Sequence, residues 1–273
     1  MKPLPHIASV ILLATLSATM AAAQIALVGD LSYDRQASPG DSYEGSFTIR
    51  NDGAQPAEAK IYQTDYSFSC NGETEYGEPG RMARSNARWI EFRPDRPVIP
   101  PHGSVVVQYS VKVPRNAGND SLTGCYWSML MVEEVASGSL ESALPSANQQ
   151  SMGLQQKIRY AVQIATHITG TGTSSVQFSE PALTQVDSVG KALRVSITNT
   201  GETWMRPDVY LEIFDASGKS RGRIEGTKYR MYPGTCVQQE IKIPSLPPGD
   251  YTALVVVDAG GDQAFGAQYT IKL

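Results

Sequence analysis

Leu193-Arg194-Val195-Ser196-Ile197-Thr198-Asn199-Thr200-Gly201 alternates apolar and polar side chains and then stops at an asparagine turn. A period of two belongs to a half-buried strand, because successive side chains leave the backbone on opposite faces. Phe47-Thr48-Ile49-Arg50-Asn51, entered through the turn Ser38-Pro39-Gly40, repeats the pattern in the first half of the chain. The echo of an alternating strand ending in an Asn turn implies two tandem sandwiches of one type.

Working outward from the second copy, candidate strands fall at 176–178, 192–199, 208–214, 222–229, 238–243, 251–258 and 268–273. Seven short strands in such a stretch suit an immunoglobulin-like β-sandwich. Asp215-Ala216-Ser217-Gly218, Tyr232-Pro233-Gly234 and Pro247-Pro248-Gly249-Asp250 supply turns between them. In the first half the same reading gives strands at 43–49, 57–68, 89–92, 105–113, 124–132 and 154–168. Asn71-Gly72 favours a tight turn after the second of these. The Ser/Ala/Asn-rich stretch 136–151 reads as a mobile loop. Thr169-Gly170-Thr171-Gly172-Thr173 makes a natural boundary, so the expected domains are 24–170 and 173–273, all-β throughout.

The first 23 residues stand apart. Lys2 precedes an apolar run from Ile7 to Leu16, and Ala21-Ala22-Ala23 offers a small-residue cleavage site, the pattern of a secretory signal peptide. The expected product is exported, beginning at Gln24, with no later run long enough for a membrane span. A formal charge of -4 and a pI near 5.5 give no electrostatic reason to hold a phosphate backbone. Nucleic acid is excluded as an expected partner.

Catalysis is not expected. After the signal segment only His102 and His167 remain, one in a Pro-Gly corner and one at a strand end. Gly40-Asp41-Ser42 imitates an esterase motif without the βα unit that would hold a nucleophile elbow. Gly218-Lys219-Ser220 imitates a phosphate-binding loop, yet Ile213 stands where its first glycine belongs. Three cysteines and two histidines, scattered as they are, make no tetrahedral metal set, so no metal and no cofactor are expected.

Export permits disulfides, and an odd count leaves one of Cys70, Cys125 and Cys236 single. Cys70 and Cys125 fall in the same proposed domain, which makes them the expected pair, the alternative being no bond. Cys236 is expected to be a buried small hydrophobe.

The strand 154–168 has two readings. Met152, Leu154, Ile158, Tyr160, Val162 and Ile164 share one face, broken by Gln156. These side chains either fill the first sandwich or, at a sheet edge, template a strand from another chain. Trp127, Met129 and Met131 read as core.

Three stretches of the first half carry a resemblance. Trp89-Ile90-Glu91-Phe92-Arg93-Pro94 through Ile99-Pro100-Pro101-His102-Gly103 to Val105-Val106-Val107 is one; Gly124-Cys125-Tyr126-Trp127-Ser128-Met129-Leu130-Met131-Val132-Glu133 is another; the strand 154–168 before the second domain is the third. Together they resemble the amino-terminal domain of the periplasmic pilus chaperones. The resemblance implies a non-catalytic periplasmic protein that binds an exported pilin-like or surface subunit by strand addition, with an outer-membrane usher as a further partner. It implies partner contacts at Leu154, Gln156, Ile158, Tyr160 and Val162. The family anchors a subunit's terminal carboxylate with an Arg on the first strand and a Lys on this last one. Arg35 and Gln163 stand nearest those places, with Lys157 and Arg159 close by. The alternative is a secreted structural or adhesion module binding a cell-surface protein or polymer, since the sandwich alone does not settle function.

Overall fold

The computed structural model describes residues 25–116, 118, 120–144, 158–186 and 190–273. The expected signal peptide lies outside them, as do Leu154, Gln156 and Lys157. Among the described residues, apart from one turn of 3-10 helix at Ala87–Trp89, every regular element is a strand.

The first sandwich is built from β1 (Ile25–Val28), β2 (Ser32–Ala37), β3 (Ser42–Asn51), β4 (Ala57–Phe68), β5 (Thr74–Gly77), β6 (Ile90–Arg93), β7 (Val98–Ile99), β8 (Ser104–Lys112), β9 (Cys125–Val135) and β10 (Arg159–Ile168). One sheet runs β1-β3-β8-β6; the other runs β2-β10-β9-β4-β5, with β7 against β4. The opening strand is split: β1 pairs antiparallel with β3, and beyond Gly29 the chain crosses over so that β2 lies parallel to β10 in the other sheet. Gly29 takes a φ of 103°, a conformation that favours glycine at such a crossing. Phe47, Ile49, Ile61, Val107, Leu130, Val132, Val162 and Ile164 close the core between the sheets. Each aliphatic side chain buried there contributes about 1.5–3 kcal/mol.

The second sandwich comprises β11 (Val176–Gln185), β12 (Lys191–Asn199), β13 (Asp208–Asp215), β14 (Ser220–Glu225), β15 (Cys236–Ile243), β16 (Asp250–Asp258) and β17 (Ala264–Lys272). Sheet β11-β12-β15 packs on sheet β14-β13-β16-β17 over Leu193, Val195, Ile197, Leu211, Ile213, Val255 and Val257. The expected strands each have a counterpart here, because the alternation that marks them in sequence is the alternation of core and solvent in space.

The asparagine echo is structural. Asn51 accepts from the Gly53 N–H (2.8 Å) and donates to the carbonyls of Gln55 and Ile99. Asn199 accepts from the Gly201 N–H (2.9 Å) and donates to the carbonyls of Thr203 and Met231. Both are fully buried, so each amide stands in for strand pairing where the backbone turns away.

The cysteine expectations are corrected. Cys70 is bonded to Cys236, not to Cys125, and Cys125 is the free, buried cysteine. Sharing a sandwich did not bring Cys70 and Cys125 together. β4 is long enough to carry its hairpin beyond the first sandwich, where Phe68 packs on the second core and Cys70 meets the first residue of β15. On the last strand the described part of the alternating face is buried. Val162 and Ile164 are fully buried in the first core, and Tyr160 packs against it. The loop expected over 136–151 is described to residue 144, and that part is tied down: Ser142 Oγ and the Ala143 N–H donate to the buried Glu58 carboxylate.

Candidate functional site: an open strand edge and the cleft beside it

β10 has β9 on one side along its whole length, from Arg159 opposite Glu133 to His167 opposite Cys125. On its other side β2 begins only at Ser32, opposite Gln163. Arg159–Val162 therefore has no strand on that side among the described residues. The Gln163 N–H donates to the Leu31 carbonyl at 2.8 Å, so odd-numbered residues turn their backbone groups toward β2. By the same alternation Arg159 and Ala161 direct theirs into the open edge. Val28 and Leu31, both exposed, flank it where the chain crosses between sheets. Ile158 and Tyr160 are half-buried there, with the Tyr160 hydroxyl donating to the Ile25 carbonyl.

Odd-numbered side chains of β10 and β9 leave the core, and those toward the His167 end face the second sandwich. Ala165, Trp127 and Cys125 form a small apolar cluster with Tyr232, whose ring stacks on Trp127 at 4.7 Å. Trp127 Nε1 donates to the Tyr66 carbonyl. Trp127, Met129 and Met131 are all buried, but on this face and outside the core between the two sheets of the first sandwich. Backbone joins the two sandwiches as well: the Cys125 N–H donates to the Glu202 carbonyl at 2.8 Å. The Glu202 carboxylate accepts from Thr123 Oγ1 and Arg84, which hold it below its ordinary value despite the opposing effect of desolvation. The segment between β10 and β11 is bonded on both sides, with the Gly124 N–H donating to Thr171 Oγ1 and the Glu202 N–H to the Thr173 carbonyl.

The polar end of the cleft is organised by Arg230, from the loop before β15. It donates to Asp34 at 3.1 and 3.3 Å, to Ser32 Oγ at 2.6 Å and to Tyr232 at 3.1 Å, and its guanidinium lies 4.1 Å from the centre of the Trp204 ring. Burial opposes ionisation of Asp34, but His167 beside it and the charge and hydrogen bonds of Arg230 outweigh it and hold its carboxyl below the usual range. Burial pushes the Tyr232 phenol up, and pushes the Cys125 thiol up to about 12. A cavity of about 350 Å³ opens beside this cluster, lined by Asp34, Arg35, Gln36, His167 and Trp204.

The two residues nearest the family's anchor positions are placed apart. Gln163 lies opposite Ser32 and Arg35 opposite Thr166, and odd and even positions of β10 use different faces, so their side chains point to opposite sides of the sheet. Gln163 is buried on the cleft side, accepting from Ser32 Oγ at 3.3 Å; Arg35 is exposed on the edge strand. The basic group inside the cleft is Arg230, 196 residues from its carboxylate partner Asp34. Nothing in the local spacing around Arg230 singles it out, because the pairing exists only once both sandwiches are docked.

No protein-family model and no curated protein matches the sequence. Among solved structures the chain is similar in fold to the fimbrial chaperones. A chain of a chaperone–tip adhesin complex of CFA/I fimbriae biogenesis superposes with a TM-score of 0.50 at 12% identity, covering 90% of this chain and 98% of that one. The class 5 fimbriae chaperone CfaA superposes at 0.49 with 13% identity, covering 89% of this chain and 98% of that one. At these identities the likeness is one of fold.

Proposed function

We propose that this protein is a non-catalytic, chaperone-like protein of the periplasm that holds an exported pilin-like or surface subunit by strand addition, ahead of transfer to an outer-membrane usher. The reading rests on the open edge at Arg159–Val162. An extended segment laid against it would exchange main-chain hydrogen bonds with Arg159 and Ala161, giving affinity without a catalytic group. Val28, Leu31, Ile158 and Tyr160 border that edge and offer apolar contact. The shared fold supports a role in pilus assembly.

Ala161→Pro tests it. Proline at 161 deletes an N–H that faces the open edge, leaves the β9 ladder intact, and is tolerated on an edge strand. With a pilin-like subunit that the wild-type protein captures co-expressed as the partner, Ala161→Pro should keep the wild-type melting temperature within a few degrees and lose co-purification of that subunit. Undiminished capture by a folded Ala161→Pro variant would overturn the mechanism.

A further inference from the structure

His167 sits at the end of β10 between two partners from different sandwiches. Trp204 Nε1 donates to His167 Nε2, and Asp34 Oδ1 lies 3.9 Å from that same nitrogen. An indole N–H is a donor only, so Nε2 carries no proton in this arrangement and the imidazole is neutral, its proton on Nδ1. Adding a proton at Nε2 removes the acceptor Trp204 uses and creates a cation facing the Asp34 carboxylate. Asp34 is already the partner of Arg230, which also covers the Trp204 ring. One protonation therefore deletes a bond across the cleft, strengthens one within the first sandwich, and sets His167 and Arg230 in competition for a single carboxylate.

From this geometry we infer that His167 is a pH-sensitive latch on the interdomain cleft: neutral, it fastens Trp204 of the second sandwich to β10; protonated, it turns to Asp34 and releases Trp204 and the wall of the cavity it lines. Imidazole is the side chain that gains charge on mild acidification, so acid is the trigger this geometry calls for. The other groups around it do not supply that trigger. Asp34 is held below the ordinary carboxylate range and stays ionised, Cys125, whose Sγ is 4.0 Å from Nε2, has its thiol pushed up to about 12, and Tyr232 and Arg230 are raised; Arg35 is the other charged side chain lining the cavity. Beyond Cys125 the Arg84–Glu202 pair keeps its charges, with Glu202 held low. The Cys70–Cys236 bond and the Cys125–Glu202 backbone hydrogen bond are indifferent to pH, so what opens is one corner of the cleft and the sandwiches stay docked. The inference does not depend on strand capture.

The test labels the full chain with 5-fluorotryptophan and follows the Trp204 ¹⁹F signal, assigned with Trp204→Phe, from pH 8 to 5, while proton NMR of the imidazole C–H follows His167. The Trp204 signal should move with the His167 midpoint, and its broadening by a soluble gadolinium chelate should rise several-fold across it. His167→Gln, which keeps an acceptor that does not titrate, should hold the signal and its protection flat. A Trp204 signal whose position and protection ignore the His167 titration in the wild-type protein would overturn the latch, as would a His167 that stays neutral down to pH 5.

Discussion

Cys70, in the hairpin turn after β4, is bonded to Cys236, the first residue of β15, with the two Cα atoms 4.5 Å apart and 166 residues between them. The bond joins the two sandwiches at the side opposite in chain order to the β10–β11 link, so the second sandwich is held at two covalent points. Cys125 lies in the interface between the sandwiches, packed with Trp127, Ala165 and Tyr232, and keeps its thiol.

Peptide mapping without reduction should recover Cys70 joined to Cys236 and a single thiol at Cys125. That thiol, buried and pushed up to about 12, should resist alkylation at neutral pH until the protein unfolds. Cys236→Ala should cost roughly 2–4 kcal/mol against denaturant, whereas Cys125→Ala should leave the disulfide pattern unchanged. Recovery of a peptide linking Cys70 to Cys125 would contradict the fold described.

Gly124 lies where the two sandwiches come close together. Its φ is 68°, and a Cβ there would lie 2.2 Å from the Glu202 carbonyl oxygen, the acceptor of the Cys125 N–H. Gly124→Ala should therefore combine backbone strain of about 1–3 kcal/mol with a clash that only separation of the interface relieves. Small-angle scattering should show a larger radius of gyration for the variant, with each sandwich still folded by circular dichroism. A variant as compact and as stable as the wild type would refute this.

Asn51 and Asn199 occupy equivalent places in the two sandwiches, and each satisfies buried backbone groups through one amide. Replacing either with leucine strands those groups and should cost roughly 1–3 kcal/mol for each one left unpaired. Hydrogen exchange should localise the loss, with Asn51→Leu loosening β1, β3 and β8 and Asn199→Leu loosening β11 and β12. Identical exchange patterns in the two variants would reject their independence.

Asp34 has its folded-state value lowered, so it contributes stability above the ordinary carboxylate range and loses that contribution as pH falls through the lowered folded value. Urea unfolding of wild type and Asp34→Asn should differ most at neutral pH and converge in acid below the usual aspartate range. A difference that stays constant across that range would show that the Arg230 and His167 contacts do not hold the carboxylate down.

The alternating runs around Phe47–Asn51 and Leu193–Asn199 were enough to announce two sandwiches, because burial on one face of a strand writes a period of two into the chain whatever the partner strands are. The turn after Asn71-Gly72 was equally legible, since the Gly72 φ of 82° is a local demand. Local pattern could not say that the first strand divides between two sheets, nor that β2 would cover β10 only from Gln163 onward; that depends on where the chain crosses at Gly29, and it is what leaves Arg159–Val162 without a strand on that side among the described residues. Nor could it pair Cys70 with Cys236, Arg230 with Asp34, or Trp204 with His167. Composition and periodicity report how each residue meets its own strand's two faces. Contacts between the sandwiches are set by how two finished cores dock, a relation among side chains up to 198 residues apart that leaves no periodic trace in either one.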